Sequence, residues 1–439
     1  MMKISKISLA VVLIHTIISC SGDNEILTET PEITAKKPNI LLIIADDMGL
    51  DASPGYTIGT EKPRMPVLEN MVQSGITFNN VWANPTCSPT RATLLTGKYG
   101  FRTNVLQVDD VLSTSETSIQ KYLDNNLGNE YSNAVIGKWH LSNNANHPNN
   151  MGIQYYAGSL GGGLKDYWNW SLTENGEKTN STTYNTVKYT DLAIDWINKQ
   201  SQPWFLWMAY NAPHEPFHLP PSNLHSQGEL PTDEASINAN PLPYYFAMLE
   251  AMDSEIGRLL SNLTTEEREN TVIIFLGDNG TPNQVAQEYN SRRTKGSIYQ
   301  GGINVPMIIS GKNVDRIGSE ENALINVTDL YATIASIAGV EVTKINDSYN
   351  FNDLLSVSGY NPREYVYSET GEDANSSGIT ISNTTHKYIL FSDDSEALYN
   401  LSTDPLEAKN LLNSRNLPLS EEDLEIKTAL IKNLGDLKN

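Results

Sequence analysis

Short, continuous apolar segments constrain the fold of this chain more than any other feature of its sequence. Five of them are each followed by a polar cluster: Ile40–Ala45, Ala134–Ile136, Trp204–Tyr210, Val272–Leu276 and Val305–Ile309. Apolar runs without alternation are typical of strands buried on both faces, which favours a mostly parallel sheet. Helix-like segments lie between them, namely Pro66–Ser74, Ser118–Leu127, Val187–Lys199, Tyr244–Asn262 and Asp329–Ala338. This alternation predicts an α/β fold with helices on both faces of the sheet.

The pattern changes near residue 360, where strand-like segments begin to alternate between apolar and polar residues. These segments are Glu364–Glu369, Gly378–Asn383, His386–Phe391 and Ala397–Leu401. They predict a small antiparallel sheet, closed by a helix that begins near Ser420. We therefore divide the chain into a main domain, residues 38–359, and a smaller C-terminal subdomain, residues 360–439.

The amino terminus has the features of an export signal. Lys3 and Lys6 precede the apolar run Leu9–Ile18, which is too short to span a bilayer. The run ends in Ile-Ile-Ser-Cys20, which resembles a bacterial lipobox, although a plain secretory signal with a chance cysteine is the alternative. We assign residues 1–19 to a signal peptide and the polar residues 20–37 to a tether. We expect a bacterial protein anchored in the periplasm or at the cell surface, touching the membrane only through an N-terminal lipid.

The charge and cysteine content exclude two classes of protein. The 439 residues contain 30 basic and 52 acidic side chains, which gives a formal net charge of −22. Such an acidic chain is poorly suited to neutralise nucleic-acid phosphates, so we expect no nucleic-acid partner. With two cysteines, Cys20 and Cys87, the chain is not a disulfide scaffold either.

Polar clusters follow the predicted strands, at the edge of the sheet where ligands gather in parallel α/β folds. They are Asp46-Asp47, Lys138-Trp-His140, His214 and Asp278-Asn279. Adjacent carboxylates repel each other unless a cation lies between them. Three carboxylates and an amide oxygen form an all-oxygen set that suits calcium or magnesium. The alternative is that the Asp-Asp and Asp-Asn-Gly segments only form turns and helix caps.

The segment from Cys87 to Gly97 predicts a short helix. Ser88 is a favourable N-cap, Pro89 suits the first turn and Gly97 suits the end of the helix. Cys87 would then lie at a helix N-terminus, with Arg91 one turn further, where anions are stabilised. These residues alone leave open a thiol of low pKa, an anion pocket or an ordinary buried cysteine.

The same segment resembles the signature of the type I, formylglycine-dependent sulfatases. Its matching residues are Cys87-Ser-Pro-Thr-Arg91-Ala-Thr-Leu-Leu-Thr-Gly97. Further matches extend in order from Asn39 to about Leu412: Pro-Asn-Ile-Leu-Leu-Ile-Ile-Ala-Asp46-Asp47, Gly137-Lys138-Trp-His140-Leu, Ala-Pro-His214, Gly-Asp278-Asn279-Gly, Lys295-Gly…Gly301-Gly302-Ile-Asn-Val-Pro306 and Ala397-Leu-Tyr-Asn-Leu-Ser-Thr-Asp-Pro405-Leu-Glu-Ala-Lys-Asn-Leu411. The resemblance implies an alkaline-phosphatase-like α/β/α fold, a catalytic sulfatase domain at 38–359 and hydrolysis of sulfuric esters.

The resemblance also implies a nucleophile and a metal. A formylglycine-generating maturation enzyme would oxidise Cys87 to formylglycine, whose hydrate attacks the sulfate ester. Calcium, with magnesium as the alternative, would be bound by residue 87 and by a set of oxygen ligands. That set is Asp46, Asp47, Asp278 and Asn279.

The remaining roles fall on cations and histidines, again by resemblance. Arg91 and Lys138 would stabilise the hydrate as an alkoxide, and Lys295 would bind sulfate charge together with the metal. His214 would protonate the departing alcohol. His140 would take a proton from the second hydroxyl of the hydrate, so that sulfate leaves and the aldehyde forms again. A serine at position 87 could not perform this last step.

The chain departs from the common family pattern at Gln300 and Asn304, where many members have Glu and Arg. Both changes remove charge, which puts salt bridges or substrate contacts in doubt but not the chemistry. Trp168-Asn-Trp170 ends a Gly-rich loop, 158–170, and could stack on a sugar or plug the loop. His218 could shape the leaving-group subsite or only accompany a turn. We expect a sulfated oligosaccharide or polysaccharide as substrate.

Two other functions remain compatible with the sequence. Phosphonate monoester and phosphodiester hydrolases resemble sulfatases down to the formylglycine motif. A catalytically silent lipoprotein that captures sulfated glycans is the second alternative. Against the silent protein, the chemically required positions named above are all present.

Overall fold

The apolar run that begins at Asn39 forms the central strand of a ten-stranded sheet in the computed structural model, which describes residues 36–371 and 377–438. The predicted signal peptide, 1–19, lies outside the described residues, as do all but the last two residues of the predicted tether, 20–37. Their assignments therefore stay predictions.

Strands and helices alternate along most of the chain. Within the described residues the strands are β1 (Asn39–Ala45), β2 (Gly75–Phe78), β3 (Val81–Trp82), β4 (Ser132–Gly137), β5 (Tyr155–Gly158), β6 (Trp170–Glu174), β7 (Glu177–Ser181), β8 (Trp204–Ala209), β9 (Thr271–Gly277), β10 (Met307–Gly311), β11 (Ser319–Glu321), β12 (Ile325–Asn326), β13 (Lys344–Ile345), β14 (Ser348–Tyr349), β15 (Val366–Glu369), β16 (Gly378–Ser382), β17 (His386–Phe391) and β18 (Glu396–Asn400). The α-helices there are α1 (Pro66–Ser74), α2 (Cys87–Thr96), α3 (Gly100–Thr103), α4 (Ile119–Leu127), α5 (His147–Asn150), α6 (Asn185–Ile197), α7 (Glu234–Ala239), α8 (Leu242–Asn262), α9 (Thr265–Glu269), α10 (Gln300–Ile303), α11 (Leu330–Ile337) and α12 (Glu421–Lys438).

The large sheet has the strand order β11-β2-β10-β9-β1-β8-β4-β5-β6-β7. Strands β9, β1, β8 and β4 run parallel to one another at its centre, and every residue of β1, β8 and β9 is buried. The predicted run at Val305–Ile309 corresponds to β10, which pairs antiparallel with β9 and β2. The mostly parallel central sheet is therefore confirmed, with antiparallel strands toward its edges.

Alternate residues of β1 divide between two hydrophobic cores, one on each face of the sheet. Ile40, Leu42 and Ile44 belong to a core that includes residues of α2, α4 and α11. Leu41 and Ile43 belong to a second core that includes residues of α1, α6 and α8. Because both faces are covered by helices, a continuous apolar strand is favoured over an alternating one. The predicted three-layer α/β/α architecture is confirmed.

The antiparallel sheet predicted near the C-terminus is formed by β15 to β18 in sequential order. On one side, Leu430 and Leu434 of α12 pack with Tyr388 and Leu398 in a third core. On the other side, residues of β17 and β18 pack against Ile298, which precedes α10. The small sheet thus supports the loop that leads into β10. The domain boundary at residue 360 stays a prediction.

None of the helices among the described residues has both the length and the apolar composition needed to cross a bilayer.

A buried ion pair joins the small sheet to the chain that follows it. Lys387 Nζ lies 2.8 Å from Glu407 Oε1, and the two side chains are 0% and 1% exposed. The other carboxylate oxygen, Oε2, accepts a hydrogen bond of 2.6 Å from the backbone N–H of Gln300. The ammonium also lies 5.0 Å from the ring centre of Trp82. Glu407 therefore connects the C-terminal tail, β17 and the start of α10.

We expect Lys387→Met to lower the free energy of unfolding by about 3–5 kcal/mol, because removing one partner of a buried pair leaves an uncompensated charge. Urea unfolding followed by circular dichroism measures this loss. The matched control is Lys427→Met, whose pair with Glu396 spans 2.7 Å and is partly exposed. Lys427→Met should lower the free energy of unfolding by at most about 1 kcal/mol. Equal losses in the two variants would contradict the role assigned to the buried pair.

Candidate active site

Four neighbouring strands deliver charged and polar side chains to one edge of the sheet. Asp46 and Asp47 follow β1, and Asp278 and Asn279 follow β9. Lys138 follows β4, and the segment carrying His214 follows β8. These strands are adjacent in the order β9-β1-β8-β4 and run in the same direction, so their carboxyl ends meet.

Asp46 and Asp47 are completely buried and each carboxylate contacts a lysine. Lys138 Nζ lies 2.5 Å from Asp46 Oδ2, and Lys295 Nζ lies 2.6 Å from Asp47 Oδ2. Tyr245 donates a hydrogen bond of 2.9 Å to the backbone carbonyl of Asp47. Lys295 belongs to the segment between β9 and β10. Its contact with Asp47 shows that this segment reaches the ends of the parallel strands.

Arg91 contacts both Asp46 and Asp278, which together with Asp47 form the carboxylate cluster. Its Nη2 is 2.7 Å from Asp278 Oδ2 and 3.8 Å from Asp46 Oδ1, and its Nη1 donates to the carbonyl of Lys138 over 2.9 Å. Burial alone would raise the pKa of Asp46, but Lys138, His214 and Arg91 together lower it well below its ordinary value. Burial and the charge of Asp46 raise the pKa of Asp278.

Cys87 begins α2 and lies directly beside the carboxylates. Its Sγ is 3.4 Å from Asp46 Oδ1 and 4.0 Å from Asp47 Oδ1. The helix starts at Cys87 with Thr86 as the N-cap, so the prediction that Ser88 caps it was wrong by two residues. Every residue of α2 is buried, which fixes the cysteine firmly within the structure. Burial raises the pKa of the Cys87 thiol, which is contrary to the thiol of low pKa that the sequence left open.

His214 and His140 lie near the same cluster. His214 Nε2 is 3.8 Å from Asp47 Oδ2, while Nδ1 is 2.8 Å from the carbonyl of Glu215. Tyr167 donates a hydrogen bond of 2.6 Å to the carbonyl of His214 and thereby fixes its backbone. Burial, with Lys138 and Arg91 nearby, lowers the pKa of His140 to about 2, so that ring is neutral. Sequence analysis missed Tyr167, because a tyrosine in a loop carries no distinguishing pattern.

The donor groups fit a divalent cation. Asp46, Asp47, Cys87 and His214 each offer one ligand atom, and these atoms lie within 4.8 Å of one another. Asn279 donates from Nδ2 to Asp47 Oδ1 over 2.8 Å, but its Oδ1 is buried and has no hydrogen-bond partner among the described residues. A bound cation would satisfy this orphaned oxygen. In the structure, the Asp278 carboxylate instead meets Arg91 and the N–H of Asp47.

A cavity of about 740 Å³ opens beside His214. Its walls include Lys165, Glu215, Phe217, Glu234 and Gln284. This volume lies in the range of small-molecule sites. The mixture of amide, charged and aromatic groups can bind a polar ligand next to the carboxylate cluster.

The two tryptophans of the Gly-rich loop have different environments. Trp170 is 4% exposed and belongs to the second core, so its side chain packs beneath the loop as part of the hydrophobic interior. Trp168 is 39% exposed, with its ring 5.0 Å from Tyr184 and 4.9 Å from His218. Burial lowers the pKa of His218 to about 4, and its Nε2 lies 3.0 Å from the Tyr184 hydroxyl. Trp168 is therefore the member of the pair that a ligand can reach.

Gln300 and Asn304, the two departures from the common pattern, have structural contacts outside the carboxylate cluster. Asn304 Oδ1 accepts from the N–H of Val81, and its Nδ2 donates to the carbonyl of Asn79, each over 3.1 Å. Gln300 is joined to Glu407 through its backbone. Both side chains line a cavity of about 490 Å³ that also includes Trp82. Asn304 thus forms uncharged hydrogen bonds to the segment around β3.

Comparisons with known proteins agree with this geometry. The sulfatase family model matches residues 38–340. "Uncharacterized sulfatase YdeN" of Escherichia coli is 26% identical over 375 residues, which cover 72% of this chain and 65% of that protein. An arylsulfatase of Klebsiella aerogenes is 24% identical over 420 residues, which cover 70% of this chain and 88% of that protein. The chain thus spans slightly less than two thirds of the length of the Escherichia coli relative.

Solved structures share the fold over nearly the whole chain. The crystal structure of Ps i-CgsB in complex with k-i-k-neocarrahexaose has a TM-score of 0.76 and 23% identity, covering 91% of this chain and 92% of that one. BT4656 in complex with its substrate D-glucosamine-2-N,6-O-disulfate has a TM-score of 0.72 and 20% identity, covering 92% and 98%. Because the family model matches well over half of its residues, this protein belongs to the sulfatase family.

Proposed function

We propose that the protein hydrolyses sulfate esters and that Cys87, converted to formylglycine, supplies the nucleophile. The observation that carries this proposal is the position of Cys87. It lies at the start of a buried helix, with Sγ 3.4 Å from Asp46 Oδ1 and with Arg91 and Lys138 on the same carboxylate cluster. Conversion to an aldehyde hydrate would place a hydroxyl nucleophile among these groups.

We further propose calcium as the cation, with magnesium as the alternative. Asp46, Asp47 and Asn279 would hold it, together with residue 87 and Asp278 after adjustment of the Arg91 contact. Oxygen donors are the ligands that these hard cations prefer. When bound, the cation would act as a Lewis acid toward a sulfuryl oxygen.

The surrounding side chains would stabilise the negative charges and transfer the protons of the reaction. Arg91 and Lys138 would stabilise negative charge on the residue-87 oxygen, and Lys295 would bind sulfuryl oxygens. His214 would protonate the departing alcohol from Nε2, since Nδ1 is engaged by the carbonyl of Glu215. His140 would accept a proton from the residue-87 hydroxyl when sulfate leaves.

A sulfated oligosaccharide or polysaccharide is the proposed substrate. Relatives named N-acetylgalactosamine-6-sulfatase and structural neighbours with bound carbohydrate support this class. The cavity beside His214 is large enough for a sugar unit, and the exposed Trp168 offers a ring on which a sugar can stack. A formylglycine-generating enzyme is the proposed maturation partner.

The proposal also extends to location, because Ile-Ile-Ser-Cys20 resembles a lipobox. The protein would be exported and anchored by a lipid on Cys20, in the periplasm or at the cell surface of a bacterium. The polar residues between Cys20 and β1 would then separate the folded domain from the membrane.

Matured wild-type protein should contain an aldehyde in the tryptic peptide Met65–Arg91 and should hydrolyse 4-nitrophenyl sulfate. Cys87→Ala should lower kcat by at least about 10³-fold because it removes the nucleophile, and His214→Ala should lower it by about 10²–10⁴-fold. Peptide mass spectrometry and a spectrophotometric assay measure these effects. His386→Ala, in the small sheet, serves as the histidine control and should stay within about twofold. Turnover retained by Cys87→Ala would contradict the proposed nucleophile.

Paired substrates separate the proposed activity from its nearest rival. The matured protein should cleave 4-nitrophenyl sulfate at least about tenfold more efficiently than 4-nitrophenyl phosphate or 4-nitrophenyl phenylphosphonate, as measured by kcat/KM. This expectation follows from membership of the sulfatase family. Preference for a phosphorus ester would favour the phosphonate or phosphodiester hydrolase. A correctly matured protein that cleaves none of them but binds sulfated oligosaccharides would favour the silent binding protein.

Fractionation of cells tests the anchor. Wild-type protein should remain with membranes and incorporate labelled fatty acid, whereas Cys20→Ser should do neither, because the acylated sulfur is absent. Both forms should show the same 4-nitrophenyl sulfate activity when solubilised. Recovery of unlabelled wild-type protein in the soluble fraction would instead support a plain secretory signal.

A further inference from the structure

One interaction beside the carboxylate cluster has no role in the proposal above. His140 Nε2 lies 2.9 Å from Asp109 Oδ1. Because a carboxylate accepts hydrogen bonds, this contact requires the proton of the neutral ring to reside on Nε2. The other nitrogen, Nδ1, is buried and has no hydrogen-bond partner among the described residues. It is therefore the nitrogen left free to accept a proton.

Both partners of this bond have an unfavourable backbone conformation. The φ angle is 67° at Asp109 and 56° at His140, in the left-handed region that residues with a side chain seldom occupy. Local contacts hold them there. The N–H of Asp109 donates to Ser88 Oγ over 3.2 Å, and the N–H of His140 donates to the carbonyl of Leu160 over 3.1 Å. Strained residues of this kind concentrate at functional sites.

Exposure argues that the Asp109–His140 bond does not serve mainly to stabilise the fold. The Asp109 side chain is 71% exposed, whereas that of His140 is 4% exposed. Ion pairs and hydrogen bonds to such an exposed carboxylate contribute little to folding. What the bond does determine is which ring nitrogen of His140 carries the proton.

The Gly-rich loop packs against the Nε2–Cε1 edge of the His140 ring. A Cβ at Gly162 would lie 2.4 Å from His140 Nε2 and 2.5 Å from its Cε1, closer than a side chain can approach. A Cβ at Gly163 would lie 3.1 Å from Cε1 of His214. The backbone of this loop therefore packs directly against both histidines, which only glycine at position 162 permits.

We infer that Asp109 is a positioning residue for His140, and that Gly162 provides the space in which this pair is held. The inference rests on the proposed function for its catalytic consequence. In that reaction, His140 Nδ1 accepts the proton of the residue-87 hydroxyl as the C=O bond forms. The C–O bond to sulfate breaks, and sulfate leaves with the bonding electrons. Asp109 would favour this step by keeping Nδ1 unprotonated and oriented.

The first test uses the protein with unmodified Cys87 and therefore does not depend on maturation. In protein labelled with ¹⁵N-histidine, NMR should show the His140 proton on Nε2, because Asp109 accepts it. Asp109→Ala should shift or broaden both ring-nitrogen signals of His140. The matched control is Asp423→Ala, which removes another His–Asp contact of 2.9 Å, that of His386 in the small sheet. Unchanged His140 signals in Asp109→Ala would overturn the inference.

The second test measures the catalytic consequence in matured protein with 4-nitrophenyl sulfate. Asp109→Ala should lower kcat by about 10- to 100-fold, the range for residues that orient a catalytic group through a hydrogen bond. It should also show a burst of 4-nitrophenol equal to the amount of enzyme, because the slowed step follows release of the alcohol. Asp109→Asn should recover part of the rate, since the amide oxygen still accepts. Asp423→Ala should stay within about twofold of wild type.

Two glycines of the same loop provide the last comparison. Gly162→Ala should lower kcat by a similar factor, because its Cβ displaces the ring. Gly161→Ala should have little effect, since its nearest atom, Asn143 Oδ1, would be 3.8 Å away. Wild-type rates in both Asp109→Ala and Gly162→Ala would overturn the positioning role. Absence of turnover in matured wild-type protein would instead refute the proposed function, while the NMR test would still decide the hydrogen bond.

Discussion

Burial of opposite charges at the carboxyl ends of four parallel strands is the constraint on which the structure depends. Three carboxylates and three cations lie there, and five of the six side chains are essentially inaccessible to water: Asp46, Asp47, Asp278, Arg91 and Lys138, with Lys295 partly covered. An isolated buried charge costs several kcal/mol, so each of these groups needs its partners in place. The fully buried helix α2 and the supported loop before α10 can be understood as means of holding Arg91 and Lys295 at their carboxylates.

The charges of this cluster also limit what it can bind. Its three carboxylates and three cations sum to zero formal charge. A divalent cation and the protonated His214 that the proposed acid step requires would add three positive charges to this sum. The cluster would then attract anionic esters, whether they carry one negative charge, as a sulfate ester does, or about two, as a phosphate monoester does near neutral pH. A phosphodiester has the same charge as a sulfate ester, so charge balance alone does not separate these two substrates.

The central sheet could be predicted because strands buried on both faces leave continuous apolar runs, as in β1 and β9. The mostly parallel arrangement could be predicted for the same reason, but the direction of each individual strand could not, because the apolar run that forms β10 resembles the others and yet pairs antiparallel. The hairpin of β6 and β7 did have a signal. Its turn contains Asn175-Gly176, with φ of 43° and 90°, the pair that favours a two-residue turn.

Similar reasoning explains which site residues could be found. Asp46, Asp278 and His214 follow strands, and strand ends converge by topology, so their meeting was predictable. Asp109 and Tyr167 come from loops, whose paths depend on contacts that no local pattern records.

The same division separates the chemistry of the site from its choice of substrate. The groups around Cys87 are fixed by the sheet and by α2, which are buried on all sides. The walls beyond His214 come instead from loops and from the short helix α7. Because loops can change without disturbing the buried charges, one reaction can be retained while the alcohol that it releases varies. The motif therefore predicts sulfate-ester chemistry, whereas the residues that line the cavity beside His214, such as Lys165 and Glu234, belong to no motif.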